Sequence, residues 1–490
     1  MSATRNEHIL IVGAGFGGLG MAIRLKQAGV EDFTVIERAP TLGGVWRDNT
    51  YPGVACDVES VLYSYSFAPS QAWSRTYAPQ REILAYLEGC VERFGVGPHL
   101  RFQQEVTSAR FDERTGLWSV TTSNGEIREA RVLISASGHA LSRPVYPSLP
   151  GRERFEGRSF HSARWDPEAP LEGKRIAVIG TGASGVQLVA AIAPRVAQLS
   201  VFQRTPAWVV PKSDRPLRAW ERRLLAAAPW LQRWLRHLTF WKHELAYPGF
   251  VHHPRLLKWT SRLVRRWLAK QVPDPELRRR LTPSYTLGCK RILPSKDFYR
   301  ALQRPNVELV DAPIAEVLPH GVRTQDGTER TFDAIVYATG FEAAEAKPPF
   351  ELLGRGGVRL DEAWRDGIEA YLGTAIAGFP NLFLILGPNV GLGHSSMILM
   401  MEAQFTYALD AIRQLRDAEL TSVEVRREVQ RRFNERLQAR LGKTVWNTGG
   451  CVSWYRTRAG KNTTLWPGST LEFRWRLRRF RVSDYEVVRA

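Results

Sequence analysis

The chain has 490 residues, of which 44% are hydrophobic, and a formal net charge of +19. This length predicts two or three domains with enough apolar material for buried cores. No stretch approaches the roughly 18 uninterrupted apolar residues that a membrane-spanning helix needs. Residues 1–7 are too short and polar for a secretory leader, so we expect a cytoplasmic protein.

The cysteines give no sign of a metal or disulfide site. Cys56, Cys90, Cys289 and Cys451 are scattered, with no CxxC pair and no histidine at metal-ligand spacing. We therefore expect all four to be reduced and mostly structural, in a reducing compartment, and we expect no bound metal.

A βαβ unit opens the chain. An apolar strand at residues 8–12 runs into a GxGxxG turn, which a helix (Leu19–Ala28) and a second strand (Phe33–Ile36) follow. The turn glycines are Gly13, Gly15 and Gly18. In such a turn the helix N-terminus offers free N–H groups and a positive dipole to a pyrophosphate.

A second unit of the same kind lies in the middle of the chain. A strand (Arg175–Ile179) precedes the turn, and a helix (Val186–Ile192) and a strand (Leu199–Phe202) follow it. The turn residues are Gly180, Thr181, Gly182, Ser184 and Gly185. One GxGxxG alone is weak, but two in the same strand–turn–helix setting predict two dinucleotide sites.

The remaining pattern returns the chain to its first domain. Further strands are predicted at Trp118–Thr122, Val132–Ala136, Val307–Val310, Ala334–Gly340 and Leu382–Leu386, and a helix near Ser395 or Ser396. We predict an α/β fold with two Rossmann-like dinucleotide-binding domains. The first domain is discontinuous (1–150 and 336–490), and the second (151–335) is inserted in it and carries a helical insertion at about 211–285.

Most of the positive charge sits in that insertion. Residues 215–281 hold 16 Lys and Arg against 4 Asp and Glu, together with six of the 16 tryptophans. One interpretation is a solvated helical face with tryptophans packed inward, which we favour. The other is a surface for nucleic acid or for an anionic membrane.

Two residues separate the nucleotides. Glu37 lies 19 residues after Gly18, where a carboxylate accepts from ribose hydroxyls and repels a 2′-phosphate, as suits FAD or NAD. Arg204 lies at the same offset after Gly185, where a cation suits the 2′-phosphate of NADPH. A flavin and a nicotinamide are therefore the expected cofactors. A disulfide reductase is excluded, because Cys56 has no partner cysteine nearby in the sequence.

Two longer motifs carry a family resemblance. Residues 155–166 satisfy FxGxxxHxxxW(P/D) at Phe155, Gly157, His161 and Trp165, and residues 43–57 satisfy (A/G)GxWxxxx(F/Y)P(G/M)xxxD. With both turns, the chain resembles the Baeyer–Villiger monooxygenases, which are class B flavin-containing monooxygenases. The resemblance runs from residue 8 to at least Asn389 and more loosely beyond it.

The resemblance implies that NADPH reduces FAD, and that a flavin peroxide then inserts one oxygen atom from dioxygen next to a ketone carbonyl, giving an ester or lactone. It implies that Arg291, in Cys289-Lys290-Arg291, is the active-site arginine and that Asp57 orients it. It also implies that His161 couples the linker in which it lies to the NADPH domain. A fixed guanidinium also suits an anionic peroxide and a developing oxyanion. By the same resemblance, FAD contacts include Val45, Trp46, Asp57, Tyr63 and Met397, and NADPH contacts include Arg204, Thr205 and Lys290.

Two rival functions stay open. A flavin monooxygenase that oxidises amine nitrogen or sulfide sulfur would use the same fold. A basic protein that binds nucleic acid or membrane would use only residues 215–281, but no nucleic-acid motif is present, and we expect no nucleic-acid partner. A peripheral membrane contact through that segment remains a hypothesis. The sequence leaves the ketone and the oligomeric state open.

Overall fold

The computed structural model describes residues 8–138, 143–345 and 347–489, without the side chains of residues 254 and 255. Residues 1–7, for which the sequence predicts no leader, lie outside this part. The strands are β1 Ile9–Val12, β2 Phe33–Ile36, β3 Leu100–Arg101, β4 Val106–Asp112, β5 Leu117–Thr122, β6 Ile127–Ala130, β7 Val132–Ser135, β8 Arg158–His161, β9 Arg175–Ile179, β10 Gln198–Phe202, β11 Val209–Val210, β12 Leu293–Pro294, β13 Val307–Val310, β14 Ile314–Leu318, β15 Gly321–Thr324, β16 Glu329–Thr331, β17 Ala334–Tyr337, β18 Glu351–Leu353, β19 Leu382–Leu384, β20 Leu420–Val425 and β21 Tyr485–Arg489.

The helices connect these strands and fill the insertion. They are α1 Phe16–Gln27, α2 Val45–Asp48, α3 Gln80–Phe94, α4 Ala183–Ile192, α5 Ala219–Ala227, α6 Pro229–Glu244, α7 Tyr247–Val251, α8 Pro254–Gln271, α9 Pro275–Arg280, α10 Phe298–Ala301, α11 Leu360–Ala363, α12 Met397–Asp417, α13 Arg427–Leu441, α14 Val445–Thr448 and α15 Thr470–Arg476. None of the helices in the described ranges is long and apolar enough to cross a membrane.

Two five-stranded parallel sheets form the framework. The first has the order β19-β7-β1-β2-β3 and the second the order β13-β10-β9-β17-β8. Every residue of β1 and β7 is buried, because a parallel sheet is covered on both faces and its central strands are apolar throughout. The α/β class with two Rossmann-like sheets is therefore confirmed.

The first sheet takes strands from both ends of the chain. β19, from after the second sheet, pairs with β7 in the register Leu382↔Leu133. The second sheet is complete between β8 and β17, and β17 runs to Tyr337, two residues beyond the boundary drawn from the sequence. The smaller sheet β14-β15-β16 is antiparallel, and in the sheet β18-β4-β5-β6 the strand β18 pairs parallel with β4 while the other pairs are antiparallel.

The helical insertion lies between β10 and β13 of the second sheet but packs against both domains. Phe240, Phe250 and Val264 from the insertion belong to the large core around the first sheet. Leu268, near the end of α8, belongs instead to the core of the second sheet. The insertion thus bridges the two parallel sheets.

The expectation that the tryptophans of the insertion pack inward is wrong. Of its six tryptophans only Trp267 packs against a core, while the other five are exposed by about half or more, namely Trp220, Trp230, Trp234, Trp241 and Trp259. The sequence shows an amphipathic helix but cannot show which face turns inward. Polar contacts made by α6 determine that face, as described below.

Candidate functional site

The two glycine-rich turns have the same construction. Each third glycine lies against the carbonyl of the first: a Cβ on Gly18 would lie 1.8 Å from the Gly13 oxygen, and one on Gly185 would lie 2.1 Å from the Gly180 oxygen. Only glycine permits this close contact between helix and strand. Gly15 and Gly182 occupy the N-caps of α1 and α4 without a side-chain cap. The first-turn N–H groups thus stay available to a pyrophosphate, so both turns fit a dinucleotide.

Glu37 lies at the end of β2, beside the first turn. Its side chain is buried and accepts hydrogen bonds from the backbone N–H of Ala14 (2.9 Å) and of Ala39 (3.0 Å). Arg47 donates to the same carboxylate at 3.1 Å. These bonds fix the carboxylate against the turn, where a ribose hydroxyl can donate to it.

Basic groups gather at the corresponding place in the second domain. Lys290 lies over the ring of Tyr285, with Nζ 5.1 Å from the ring centroid. Burial, together with the nearby charge of Arg204, lowers the pKa of Lys290. Within the described ranges neither cation forms an ion pair with a carboxylate. Two neighbouring cations without a counter-charge fit a phosphate group, and the half-buried Thr205 follows Arg204 in the chain.

Aromatic residues surround the first turn. Val45 and Trp46 begin the short helix α2, and the Trp46 indole N–H donates to the Tyr63 hydroxyl at 3.0 Å. Tyr63 also contacts the ring of Phe16 edge to face, with centroids 5.3 Å apart. Phe16 is the first residue of α1, so these side chains enclose the space next to the uncapped helix.

Arg291 and Asp57 form a two-point ion pair between the domains. Arg291 Nε donates to Asp57 Oδ2 at 2.6 Å, and Nη2 donates to Oδ1 at 2.7 Å. The side chains are 34% and 21% exposed, so one face of the pair remains accessible. Burial raises the pKa of Asp57, but the charge and hydrogen bonds of Arg291 outweigh burial, and the net pKa lies below the usual range. Asp57 raises the pKa of Arg291 in turn, so both groups stay charged.

Two residues that the sequence did not single out lie beside this pair. Lys212 Nζ donates to the carbonyl of Cys56 at 3.3 Å, and its charge helps to lower the pKa of Asp57. The buried Tyr455 also interacts with the pair: burial raises its pKa to about 12, with Arg291 lowering it and Asp57 raising it. No pattern in the sequence links Lys212 to Asp57, because only the fold of the insertion brings them together.

The Gly43–Asp57 stretch also holds the domains together. The Tyr51 hydroxyl donates to Gln187 Oε1 at 2.9 Å, and Gln187 Nε2 donates to the Ala55 carbonyl at 3.0 Å. Gln187 belongs to α4, so the Gly43–Asp57 motif contacts the helix that follows the second glycine-rich turn. Tyr51 is a motif position and could have been singled out; nothing in the sequence distinguishes Gln187.

The linker motif at 155–166 forms β8 and the turn after it. β8 is an edge strand beside β17, and His161 at its end is fully buried, with Nδ1 accepting from the N–H of Ala163 at 3.1 Å. Burial lowers the pKa of His161 to about 4, so the ring is neutral at pH 7. Trp165 packs edge to face on Phe160, with centroids 5.0 Å apart. Phe155 and Gly157 precede β8, and Phe155 packs against a small core of the second domain.

The expectation that all four cysteines are reduced is wrong. Cys289 and Cys451 form a disulfide, whereas Cys56 and Cys90 are free and buried. The two bonded residues are 162 positions apart. Sequence spacing therefore cannot reveal the pair, because only tertiary folding brings the loop of Lys290 and Arg291 against the C-terminal segment.

Met397 is the first residue of α12, whose N-cap Ser396 accepts a hydrogen bond from the N–H of Ile398 at 3.3 Å. The helix thus begins where the sequence predicted. Among the described residues no group of acidic, histidine or cysteine side chains is arranged to hold a metal ion.

Comparison with known proteins agrees with this architecture. A family model described as flavin-binding monooxygenase-like matches residues 6–225. A Baeyer–Villiger monooxygenase of Streptomyces coelicolor is 46% identical over 487 residues, covering 99% of this chain and 93% of its own. A crystal structure of OTEMO in complex with FAD and NADP superposes with a TM-score of 0.88 at 29% identity, covering 98% of this chain and 99% of its own. A closed crystal structure of cyclohexanone monooxygenase gives 0.88 at 30% identity and 99% coverage of both chains. The chain belongs to the Baeyer–Villiger monooxygenase family.

Proposed function

We propose that this protein is an FAD- and NADPH-dependent monooxygenase that inserts one oxygen atom from dioxygen next to a ketone carbonyl, giving an ester or lactone. The observation that carries the proposal is the ion pair of Arg291 with Asp57. This ion pair joins two segments of the chain. One is the end of the Gly43–Asp57 stretch, which lies beside the first dinucleotide turn, and the other is the loop of Lys290, which lies beside the second turn. Chemistry that needs both nucleotides is therefore best placed at this pair.

Arg291 acts on charge rather than on protons. Its pKa is raised by Asp57, so the guanidinium cannot serve as an acid at neutral pH. It can instead stabilise the negative charge that develops on a ketone oxygen when a nucleophile adds to the carbonyl carbon. Asp57 occupies Nε and Nη2, and this two-point contact fixes the plane of the guanidinium. Among the described residues Nη1 has no hydrogen-bond partner, so it would be available to a substrate oxygen. In this proposal Arg291 is the catalytic residue and Asp57 positions it.

The cofactors would be held by the residues at the two turns. Bound FAD, reduced by NADPH, supplies the activation of dioxygen. We assign FAD to Gly13, Gly15, Gly18, Glu37, Val45, Trp46, Asp57, Tyr63 and the start of α12 at Met397. We assign NADPH to Gly180, Thr181, Gly182, Ser184, Gly185, Arg204, Thr205 and Lys290. Residues 1–150 and 336–490 would then form the FAD domain, and residues 151–335 the NADPH domain.

The linker motif has a positioning role in this proposal. His161 is neutral and buried, so we assign it no proton transfer. It lies where β8 meets β17, the strand that returns the chain to the first domain. We propose that it couples movement of the NADPH domain to the state of the active site. His161→Ala should then change the balance between flavin reduction and oxygenation; unchanged rates of both would contradict this role.

The test of the main proposal separates the two nucleotides and then the two oxygenation chemistries. The holoenzyme is reduced anaerobically with NADPH and, separately, with NADH, and flavin bleaching is followed. Air and a panel of linear, cyclic and aryl ketones are then added, with a thioether alongside, and products are analysed by mass spectrometry. We expect faster reduction by NADPH and ketone products that have gained one oxygen atom. Oxidation of the thioether without formation of an ester or lactone from any ketone would instead favour a monooxygenase that acts on heteroatoms.

We also propose a cytoplasmic location, because the enzyme draws on NADPH. The Cys289–Cys451 disulfide is then unusual, since reducing compartments keep most thiols free. Alkylation of thiols at the moment of cell lysis, followed by peptide mass analysis, would show whether the bond exists in cells.

A further inference from the structure

The helix α6 presents a stripe of large apolar side chains to water. The members of the stripe recur at intervals of three and four residues, so they lie on one face of the helix. Their exposed fractions are 68% for Trp230, 53% for Trp234, 47% for Leu238, 49% for Trp241 and 75% for Leu245. Soluble proteins bury such a face, and an exposed one marks an interaction surface.

Polar contacts on the opposite face fix this orientation. Arg236 Nη1 donates to the carbonyls of Val61 and Ser64, each at 2.9 Å. Nearer the end of the helix, His243 Nε2 lies 2.6 Å from a carboxylate oxygen of Glu59. The inward side of α6 thus carries these polar groups together with the buried Phe240, while the apolar stripe faces out. Turning the stripe inward would break these bonds.

Two other helices of the insertion also expose large apolar side chains. The helix α5, which packs against α6, exposes Trp220 (57%) and Leu224 (44%). The helix α8 buries Leu257 and Val264 on one side. On its other side it exposes large apolar residues at intervals of three and four, which are Leu256 (56%), Trp259 (62%) and Leu263 (42%). We refer to these exposed apolar residues of α5, α6 and α8 together as the insertion surface.

The insertion surface is also strongly basic. Residues 215–281 carry 16 Lys and Arg against 4 Asp and Glu, and their exposed cations include Arg222 and Arg223 on α5 and Arg233 on α6. A second copy of this chain would bring one positive surface against another, which charge repulsion opposes. Tryptophan and leucine bordered by arginine and lysine are the residues that settle at the headgroup boundary of an anionic bilayer.

We propose that the insertion surface docks the enzyme peripherally on an anionic lipid surface. The apolar stripe of α6 would enter the headgroup boundary while the arginines and lysines meet lipid phosphates. This goes beyond oxygenation of a ketone and does not depend on it, because none of these side chains belongs to the proposed active site.

The test is flotation of the full-length holoenzyme with vesicles. One set contains phosphatidylcholine alone, and the other contains about a third phosphatidylglycerol. Because each basic side chain held near an anionic surface strengthens binding about fivefold, the anionic vesicles should float most of the enzyme and the neutral ones little. Added salt should release it, since screening weakens surface charge. Equal flotation on both vesicle types, or on neither, would overturn the proposal.

A matched pair of triple variants separates the stripe from general hydrophobicity. Trp230→Ser, Trp234→Ser and Trp241→Ser together should lower flotation at least tenfold, since burial of one large apolar side chain alone is worth about that factor. Activity on a water-soluble ketone should not change. The control replaces three exposed apolar residues elsewhere, Ile127→Ser, Val358→Ser and Val488→Ser, and should float like the parent enzyme.

Other occupants of the insertion surface give distinct results. If it instead joins two copies, sedimentation of the parent enzyme without lipid will show a doubled mass that the tryptophan variant lacks. If it instead holds nucleic acid, a single-stranded oligonucleotide will compete with the anionic vesicles for the parent enzyme. Either result would overturn the lipid proposal, as would undiminished flotation of the tryptophan variant.

Discussion

Replacement of Arg291 tests whether a fixed guanidinium drives oxygenation. We expect Arg291→Ala to lower ester formation roughly 100-fold, because loss of one preorganised donor to a developing oxyanion costs about 2.7–4 kcal/mol. We take the lower end of that range because the side chain is 34% exposed, so water can partly replace the lost donor. Arg291→Lys keeps the charge but loses the two-point contact with Asp57 (2.6 and 2.7 Å), so we expect an intermediate loss.

The assay follows the two half-reactions separately. Anaerobic stopped-flow measures flavin reduction by NADPH, which does not involve the carbonyl and should stay within about threefold of the parent rate. Ester formation per NADPH consumed is then measured with a reactive ketone in air. The matched control is Arg300→Ala, since that arginine lies nearby in sequence with a side chain 73% exposed, and it should change neither quantity. Unchanged ester formation in Arg291→Ala would refute the assignment, and equal loss of both half-reactions would mean that cofactor binding had failed instead.

Three further changes follow from other contacts. Arg204→Ala should raise the KM for NADPH roughly 10- to 100-fold, because charge-assisted hydrogen bonds are worth about 1.5–3 kcal/mol. The KM for NADH should not change, since NADH has no 2′-phosphate. Equal changes of KM for both nucleotides in steady-state kinetics would count against a 2′-phosphate contact. Reduction of the Cys289–Cys451 disulfide with dithiothreitol should lower the melting temperature, because it releases a 162-residue loop whose closure is worth at most about 5 kcal/mol. The control is the Cys289→Ala variant, which has no disulfide at this place, so dithiothreitol should not change its melting temperature. Glu59→Gln should lower the free energy of unfolding by about 3 kcal/mol at pH 6. Burial raises the pKa of Glu59, but its bonds to His243 and Lys242 outweigh burial and bring the pKa from 4.5 to about 2. Since that pKa is depressed on folding, the stabilisation is full above pH 4.5 and is lost as the pH falls toward 2. Urea titrations should therefore give the parent enzyme and Glu59→Gln free energies of unfolding that converge in acid. A difference in free energy that grows on acidification would contradict the ion pair.

Local patterns determined the framework of this protein. The strands at Phe33–Ile36, Arg175–Ile179 and Val307–Val310 lie where periodicity and composition predicted them. Both glycine turns could be identified because their function depends on neighbouring residues: a tight turn, a close helix–strand contact and a helix N-terminus all lie within six positions. Helix starts were less certain. The helices α1 and α4 begin three residues before the predicted positions, because Gly17 and Gly18 in α1 and Ser184 and Gly185 in α4 are helical here although their propensities do not indicate it.

Only the tertiary structure decided the features that depend on distant residues. The Cys289–Cys451 bond, the contact of Lys212 with Cys56 and the pairing of Tyr51 with Gln187 each join segments more than 100 residues apart, so no local pattern encodes them. The same is true of the tryptophans in the insertion. The sequence shows that α6 has an apolar face and a polar face. Which face meets the protein was decided by hydrogen bonds from Arg236 to carbonyls far away in the chain, because buried polar groups need partners that only the complete fold supplies.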